Sequence, residues 1–202
     1  INRNTLTAEL KTPINELTAG YGTEGDPAEL EWTPIQPSNS GPNFTQVKYD
    51  AINNYWLSVN GMGGIHRSED GLEWTLMNGE WGLGNPVFIG LDQNSQTNVW
   101  CAFAYVGVYR SADGGFTWEK RANKPNQGPS SDAVYSGVYG WAGTWIAGCK
   151  NGRYLRSTDD GMNWTVFTFP GAHQYFKGWG LVYSQSKSMY ICIGPMGSTG
   201  VQ

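Results

Sequence analysis

Acid–base, nucleophilic or metal chemistry in this chain would have to come from 17 carboxylates, two histidines, three cysteines and a handful of arginines. Glycoside hydrolysis needs two carboxylates held roughly 5–10 Å apart across a cleft. Apart from the repeated aspartates described below, the candidates include Asp50, Glu73, Glu80, Asp92, Glu119, Asp132 and Asp160, and nothing in their spacing pairs them. His66 stands beside Arg67 in a strand-like stretch and reads as structural. No His, Cys and carboxylate cluster has metal-ligand spacing. Gly61-Met62-Gly63-Gly64 lacks the helix and the lysine of a phosphate loop. These residues predict no catalytic group, no metal and no cofactor, and hence a protein that is not an enzyme.

The regular spacing in the chain points to architecture instead. Arg67-Ser68-Glu69-Asp70-Gly71-Leu72-Glu73-Trp74 aligns with Arg110-Ser111-Ala112-Asp113-Gly114-Gly115-Phe116-Thr117-Trp118. Both align with Arg156-Ser157-Thr158-Asp159-Asp160-Gly161-Met162-Asn163-Trp164. The first copy is one residue shorter between Asp and Trp, and the serines recur after 43 and 46 residues. A hairpin turn explains the residue types. Ser and Asp side chains bond nearby backbone N–H groups. Gly71, Gly115 and Gly161 supply the positive φ of a tight turn, and Trp74, Trp118 and Trp164 fold back to bury a large area.

This pattern resembles the Asp-box, or BNR, repeat, and a period in the forties is that of a propeller blade. The resemblance implies an all-β chain: a β-propeller of about four Asp-box blades over residues 29–202, behind a short N-terminal arm at 1–28. It also implies that Ser68, Asp70, Ser111, Asp113, Ser157 and Asp159 are structural. The repeat occurs in sialidases, but the sialidase scheme does not carry over. Arg67, Arg110 and Arg156 occupy equivalent scaffold positions and do not form a convergent triad, and no Arg-Ile-Pro motif occurs.

Each repeat is expected to hold four strands. The innermost are Gln46–Asp50, Pro86–Leu91, Ala133–Tyr139 and Gly180–Ser184. The second strands carry Trp56, Trp100, Trp145 and Tyr190 at matching places. Glu29-Leu30-Glu31-Trp32-Thr33-Pro34 resembles Gly71-Leu72-Glu73-Trp74-Thr75-Leu76, so Trp32 is expected to open an outermost strand that completes the last blade and closes the ring. Closure of this kind removes exposed strand edges. Gly194-Pro-Met-Gly197-Ser-Thr-Gly200-Val-Gln has two readings, a blade strand or the start of a Gly-x-y stalk. In the arm, Leu6, Leu10, Ile14 and Leu17 form a helical stripe interrupted by Pro13. This arm either packs on its own propeller or docks on another subunit.

In such a propeller the loops leading into the innermost strands, and those between second and third strands, share one face. They are aromatic here: Trp81, Tyr105, His173 and Tyr175 are the candidate ligand-binding residues. Aromatic rings with Asn and Gln nearby suit a glycan, and they suit a protein partner as well.

Composition narrows the partners. The chain has 28 glycines among 202 residues, 14% aromatics, 15% charged residues and a net charge of −4. No basic stripe favours nucleic acid, and no apolar run reaches the 18 or so residues of a membrane span. The chain begins at Ile1, which reads as a processed or trimmed start. Cys101, Cys149 and Cys192 lie in apolar stretches and are expected to be buried free thiols. The Gly, Asn, Ser and Trp content resembles phage tail and fibre proteins. That resemblance implies a virion module, assembled in the host cytoplasm, that binds a host-surface receptor or glycan. Its arm would dock on other virion proteins, in a homo-oligomer such as a trimer. The alternatives are a purely structural assembly module and a fragment of a secreted glycan-active hydrolase.

Overall fold

The computed structural model describes residues 44–77, 86–125, 132–170 and 177–195. They form three four-stranded antiparallel sheets and one two-stranded sheet. The first contains β1 (Phe44–Asp50), β2 (Tyr55–Asn60), β3 (Ile65–Ser68) and β4 (Thr75–Leu76). The second contains β5 (Phe88–Asn94), β6 (Val99–Ala104), β7 (Gly107–Ser111) and β8 (Glu119–Asn123). The third contains β9 (Val134–Tyr139), β10 (Trp145–Cys149), β11 (Arg153–Ser157) and β12 (Thr165–Thr168). The fourth pairs β13 (Gly180–Ser184) with β14 (Met189–Ile193). Strand order within each sheet follows chain order, so every connection is a hairpin.

Burial follows from the composition of each strand. Val99-Trp-Cys-Ala-Phe-Ala104 has no polar residue and is buried on both faces. One face, with Trp100, Ala102 and Ala104, joins Tyr55, Leu57, Val59, Ile65, Phe88 and Leu91 in a core between the first and second sheets. The other, with Cys101 and Phe103, meets Val134, Trp145, Ala147, Cys149 and Leu155 between the second and third. Each fully buried Leu, Val, Ile or Phe among these contributes about 1.5–3 kcal/mol. The outermost strands β8 and β12 are largely exposed: β8 carries Glu119, Lys120 and Arg121, and β12 is exposed along its whole length, Val166 and Phe167 included.

The innermost strands stack in series, β1 on β5, β5 on β9 and β9 on β13; β1 and β13 do not pack on each other in this way. The expected innermost and second strands are therefore present in all four repeats. The expected strand at Trp32, the arm at 1–28 and residues 196–202 lie outside the described residues.

The last sheet approaches its neighbour backbone to backbone. The Gly178 N–H donates to the Cys149 carbonyl at 3.2 Å, and the Ser136 hydroxyl donates to the Gly178 carbonyl at 2.6 Å. A Cβ on Gly148 would stand 2.7 Å from that carbonyl oxygen, so glycine is required for this approach.

Candidate functional site

The two ends of the sheets differ in chemistry. At one end lie the three Ser-x-Asp turns, and they share one hydrogen-bond scheme. The serine hydroxyl donates to the aspartate at 3.1, 2.7 and 2.8 Å, for Ser68–Asp70, Ser111–Asp113 and Ser157–Asp159. The same serine oxygens accept from the N–H of Gly71, Gly115 and Gly161 at 2.8, 2.7 and 3.0 Å. Trp74, Trp118 and Trp164 donate their indole N–H to the carbonyls of those glycines at 3.1, 2.8 and 2.9 Å. The three glycines hold φ of +78°, +94° and +78°. The extra residue of the longer turns, Gly114 or Asp160, is accommodated with φ of +76° or +57°.

These carboxylates are committed to the fold. Backbone N–H groups of Glu73 and Leu72 hold Asp70 below the usual carboxylate range, and the Asn163 N–H does the same for Asp159. Burial alone would raise Asp113, but hydrogen bonds from Ser111, Thr117 and Phe116 bring it below that range.

The second and third turns are also gripped by the preceding sheet. Tyr55 donates its hydroxyl to the Gly114 carbonyl, and the Arg67 guanidinium lies 4.9 Å from the Phe116 ring. One sheet further on, Arg110 donates to the Asp160 carbonyl at 2.8 Å. The repeated arginines thus clamp successive sheets together, while Arg156, third in the series, is exposed.

The opposite end carries an exposed aromatic row. Tyr105, in the β6–β7 turn, is 39% exposed; its ring centroid lies 5.4 Å from Tyr135, which lies 6.1 Å from Trp179, 54% exposed. The three rings come from three successive sheets. Register explains how they converge. In β9 the pairing with β10 slips between Val134 and Ser136, so Tyr135 is a bulged residue. The same slip falls at Thr45 in β1 and Ile89 in β5. Trp179, just before β13, occupies the corresponding position in the fourth sheet. A bulge re-aims its side chain; here it turns Tyr135 toward the neighbouring rings of the row. Burial, with the Tyr105 hydroxyl nearby, raises the Tyr135 phenol.

Among the described residues, charge at this end is positive. The Lys177 ammonium lies 5.6 Å from the Trp179 ring. Lys150 leaves β10 beside the bulge, its N–H donating to the Ala133 carbonyl at 3.0 Å. Asp132, 1% exposed, is the acid here among the described residues; Asn151 donates to it, and Arg153 bonds its second oxygen at 2.7 Å.

Of the four ligand-binding candidates read from sequence, Tyr105 is placed in this row. Trp81, His173 and Tyr175 lie outside the described residues. Tyr135 and Trp179 were not among the candidates. Aligning the innermost strands would have found them, since Tyr135-Ser136 and Trp179-Gly180 stand where Thr45-Gln46 and Ile89-Gly90 stand in the earlier repeats.

No protein-family model and no curated protein matches the sequence. Solved structures do match. The chain is similar to the extracellular domain of BT4673 from B. thetaiotaomicron, described as a one-component system, at 12% identity and a TM-score of 0.58, over 78% of this chain and 20% of that one. It is similar to an ancestral GH74 enzyme at 13% identity and a TM-score of 0.52, over 75% and 21%. It is also similar to YCF48 bound to D1 peptide, at 16% identity and a TM-score of 0.50, over 74% and 46%. The chain thus spans between a fifth and just under half of these solved chains. At such identities the likeness is one of architecture, and what it establishes is an all-β, propeller-like fold.

Proposed function

We propose that the chain is a non-enzymatic binding module of a phage tail or fibre, which holds a host-surface glycan on the row formed by Tyr105, Tyr135 and Trp179. The carrying observation is that three aromatic side chains from successive sheets converge on one end, with Tyr105 and Trp179 exposed and Lys177 beside the last ring, while the Ser and Asp side chains of the other end are used up in holding turns. Aromatic faces presented by a rigid scaffold suit the C–H faces of sugars. The phage context rests on the resemblance in composition and on the Asp-box pattern. In this reading the blades number about four, and a strand opened by Trp32 completes the last blade and closes the ring.

A glycan array and a cell-binding assay test the function, with Trp179→Ala and Tyr105→Ala as controls. Signal on glycans that both changes abolish supports it. A blank array with folded protein removes it.

The second reading is a purely structural assembly module with an arm that docks on a neighbouring virion protein. It is favoured by an apolar face on the fourth sheet, where Val182, Met189, Ile191 and Ile193 are 43–66% exposed. Deletion of residues 1–26 would then abolish assembly while leaving glycan binding intact. Hydrolysis of a polysaccharide, lost on changing one carboxylate, would replace both readings with an enzyme.

A further inference from the structure

We infer that the glycan held by the aromatic row is anionic, its carboxylate or sulfate groups meeting Lys150 and Lys177 while its sugar faces lie on Tyr135 and Trp179. This rests on the binding reading above and specifies its ligand class.

Three observations carry it. Lys177 stands with its ammonium 5.6 Å from the Trp179 ring, so a sugar stacked on that indole brings its substituents within reach of the charge. Lys150 emerges where β10 faces the bulge that carries Tyr135, and the Val134 N–H reaches the Tyr105 carbonyl at 3.4 Å, which ties this corner to the first ring of the row. The acid of the neighbourhood among the described residues, Asp132, is buried, already paired with Arg153 and hydrogen-bonded by Asn151. Among the described ion pairs none involves Lys150 or Lys177, so both ammonium groups have capacity for an incoming anion.

The distribution of charge over the molecule agrees. Among the described residues the Ser-x-Asp end carries Glu69, Asp70, Glu73, Asp113, Asp159 and Asp160 against Arg67, Arg110 and Arg156, whereas the loop end carries Lys124, Lys150, Arg153 and Lys177 against Asp132. An anionic polymer is therefore steered to one end and repelled from the other. A net charge of −4 and two lysines with capacity are too little for a nucleic acid, whose binding scales with the phosphates neutralised. An acidic peptide would use the lysines but leave the aromatic spacing without a purpose.

The experiment measures binding of the full chain to polygalacturonate, alginate and chondroitin sulfate, against neutral galactan and dextran. Poly-glutamate and a thymidine oligonucleotide are further arms. Uronate and sulfate polymers together distinguish which anionic group is read. The expected result is an acidic polysaccharide bound at least about tenfold more tightly than any neutral one, with the preference lost when salt rises from about 0.05 to about 0.5 M. Lys150→Gln with Lys177→Gln should erase the preference, and Trp179→Ala should erase binding to both classes. Near-UV circular dichroism verifies that each variant is folded. Equal binding of neutral and acidic polymers, unchanged in the double lysine variant, overturns this inference and leaves the binding reading standing. Binding of no polysaccharide by the folded wild type overturns both. Poly-glutamate or the oligonucleotide bound as tightly as the best polysaccharide, indifferent to Trp179→Ala, overturns the assignment to a glycan.

Discussion

Arg110 of β7 donates its Nε–H to the backbone carbonyl of Asp160, 2.8 Å away in the Ser-x-Asp turn of the following sheet. The Asp160 carboxylate answers in the opposite direction. It accepts from Asn94 at 2.9 Å and Thr97 at 2.6 Å, both in the second sheet's β5–β6 region, and from the Trp145 indole at 3.1 Å in its own sheet. A residue that the sequence presents as a spare carboxylate is thus the main polar joint between two sheets.

Asp160→Ala should cost about 2–4 kcal/mol, because it leaves buried donors without partners and puts a β-carbon residue of poor left-handed preference at φ of +57°. Asp160→Asn should cost less, since asparagine tolerates that φ and keeps one acceptor oxygen. Urea denaturation measures both. A loss below about 0.5 kcal/mol for the alanine variant would show that the joint contributes little.

Gly148→Ala should loosen the fourth sheet selectively. The new Cβ would meet the Gly178 carbonyl at 2.7 Å and the Ser136 hydroxyl at 2.8 Å, so β13 must move away from β9. The change is expected to cost about 1–3 kcal/mol. It should also speed tryptic cleavage at Lys187, in the β13–β14 turn, while the first two sheets keep their protection. Uniform loss of protection across all sheets would contradict this.

Acid should destabilise the fold in two stages. Burial holds the His66 imidazole below its ordinary 6.5. Below that pH the unfolded chain takes up a proton that the folded chain refuses, so stability falls as pH drops. Asp50, Asp70, Asp113 and Asp159 are all held below their ordinary 3.8. Their contribution is fully present above that value and is lost as pH falls through their folded values. Melting temperature against pH should therefore begin to decline near 6.5 and fall more steeply below about 4. His66→Gln should remove the first stage alone.

The thiols should be inert in the folded protein. Burial pushes Cys101 well above its ordinary value, Cys149 to about 12 and Cys192 to about 11. Since the thiolate is the reactive form, Ellman's reagent should label no cysteine quickly at pH 8 and all three after denaturation. Cys192, the least buried, should react first. Rapid native labelling of Cys101 would mean that the second and third sheets separate readily.

Much of this architecture was legible in the residues. The Ser-x-Asp spacing specifies a turn whose hydrogen bonds are local, between side chains and backbone groups two to four residues apart, so no distant contact is needed to form it. The innermost and second strands followed from apolar runs and from an aromatic at a matching place in each repeat. The site was less legible. Tyr105 was identifiable because it sits in a turn between two apolar strands. Tyr135 was hidden, because strand alternation describes a regular ladder and the bulge at Tyr135 breaks it. Trp179 belongs to the same position, one sheet further on.

The sequence by itself determined the repeat, the turns and the strands, because each of these is decided by interactions within a few residues or by a period of two. Only the tertiary structure decided which groups meet across sheets: Arg110 with Asp160, Gly148 with Gly178, Tyr105 with Tyr135, and Tyr135 with Trp179. Those partners lie 30 to 50 residues apart along the chain. What brings them together is the packing of one sheet on the next, which depends on side-chain volume and register slips that no local pattern encodes.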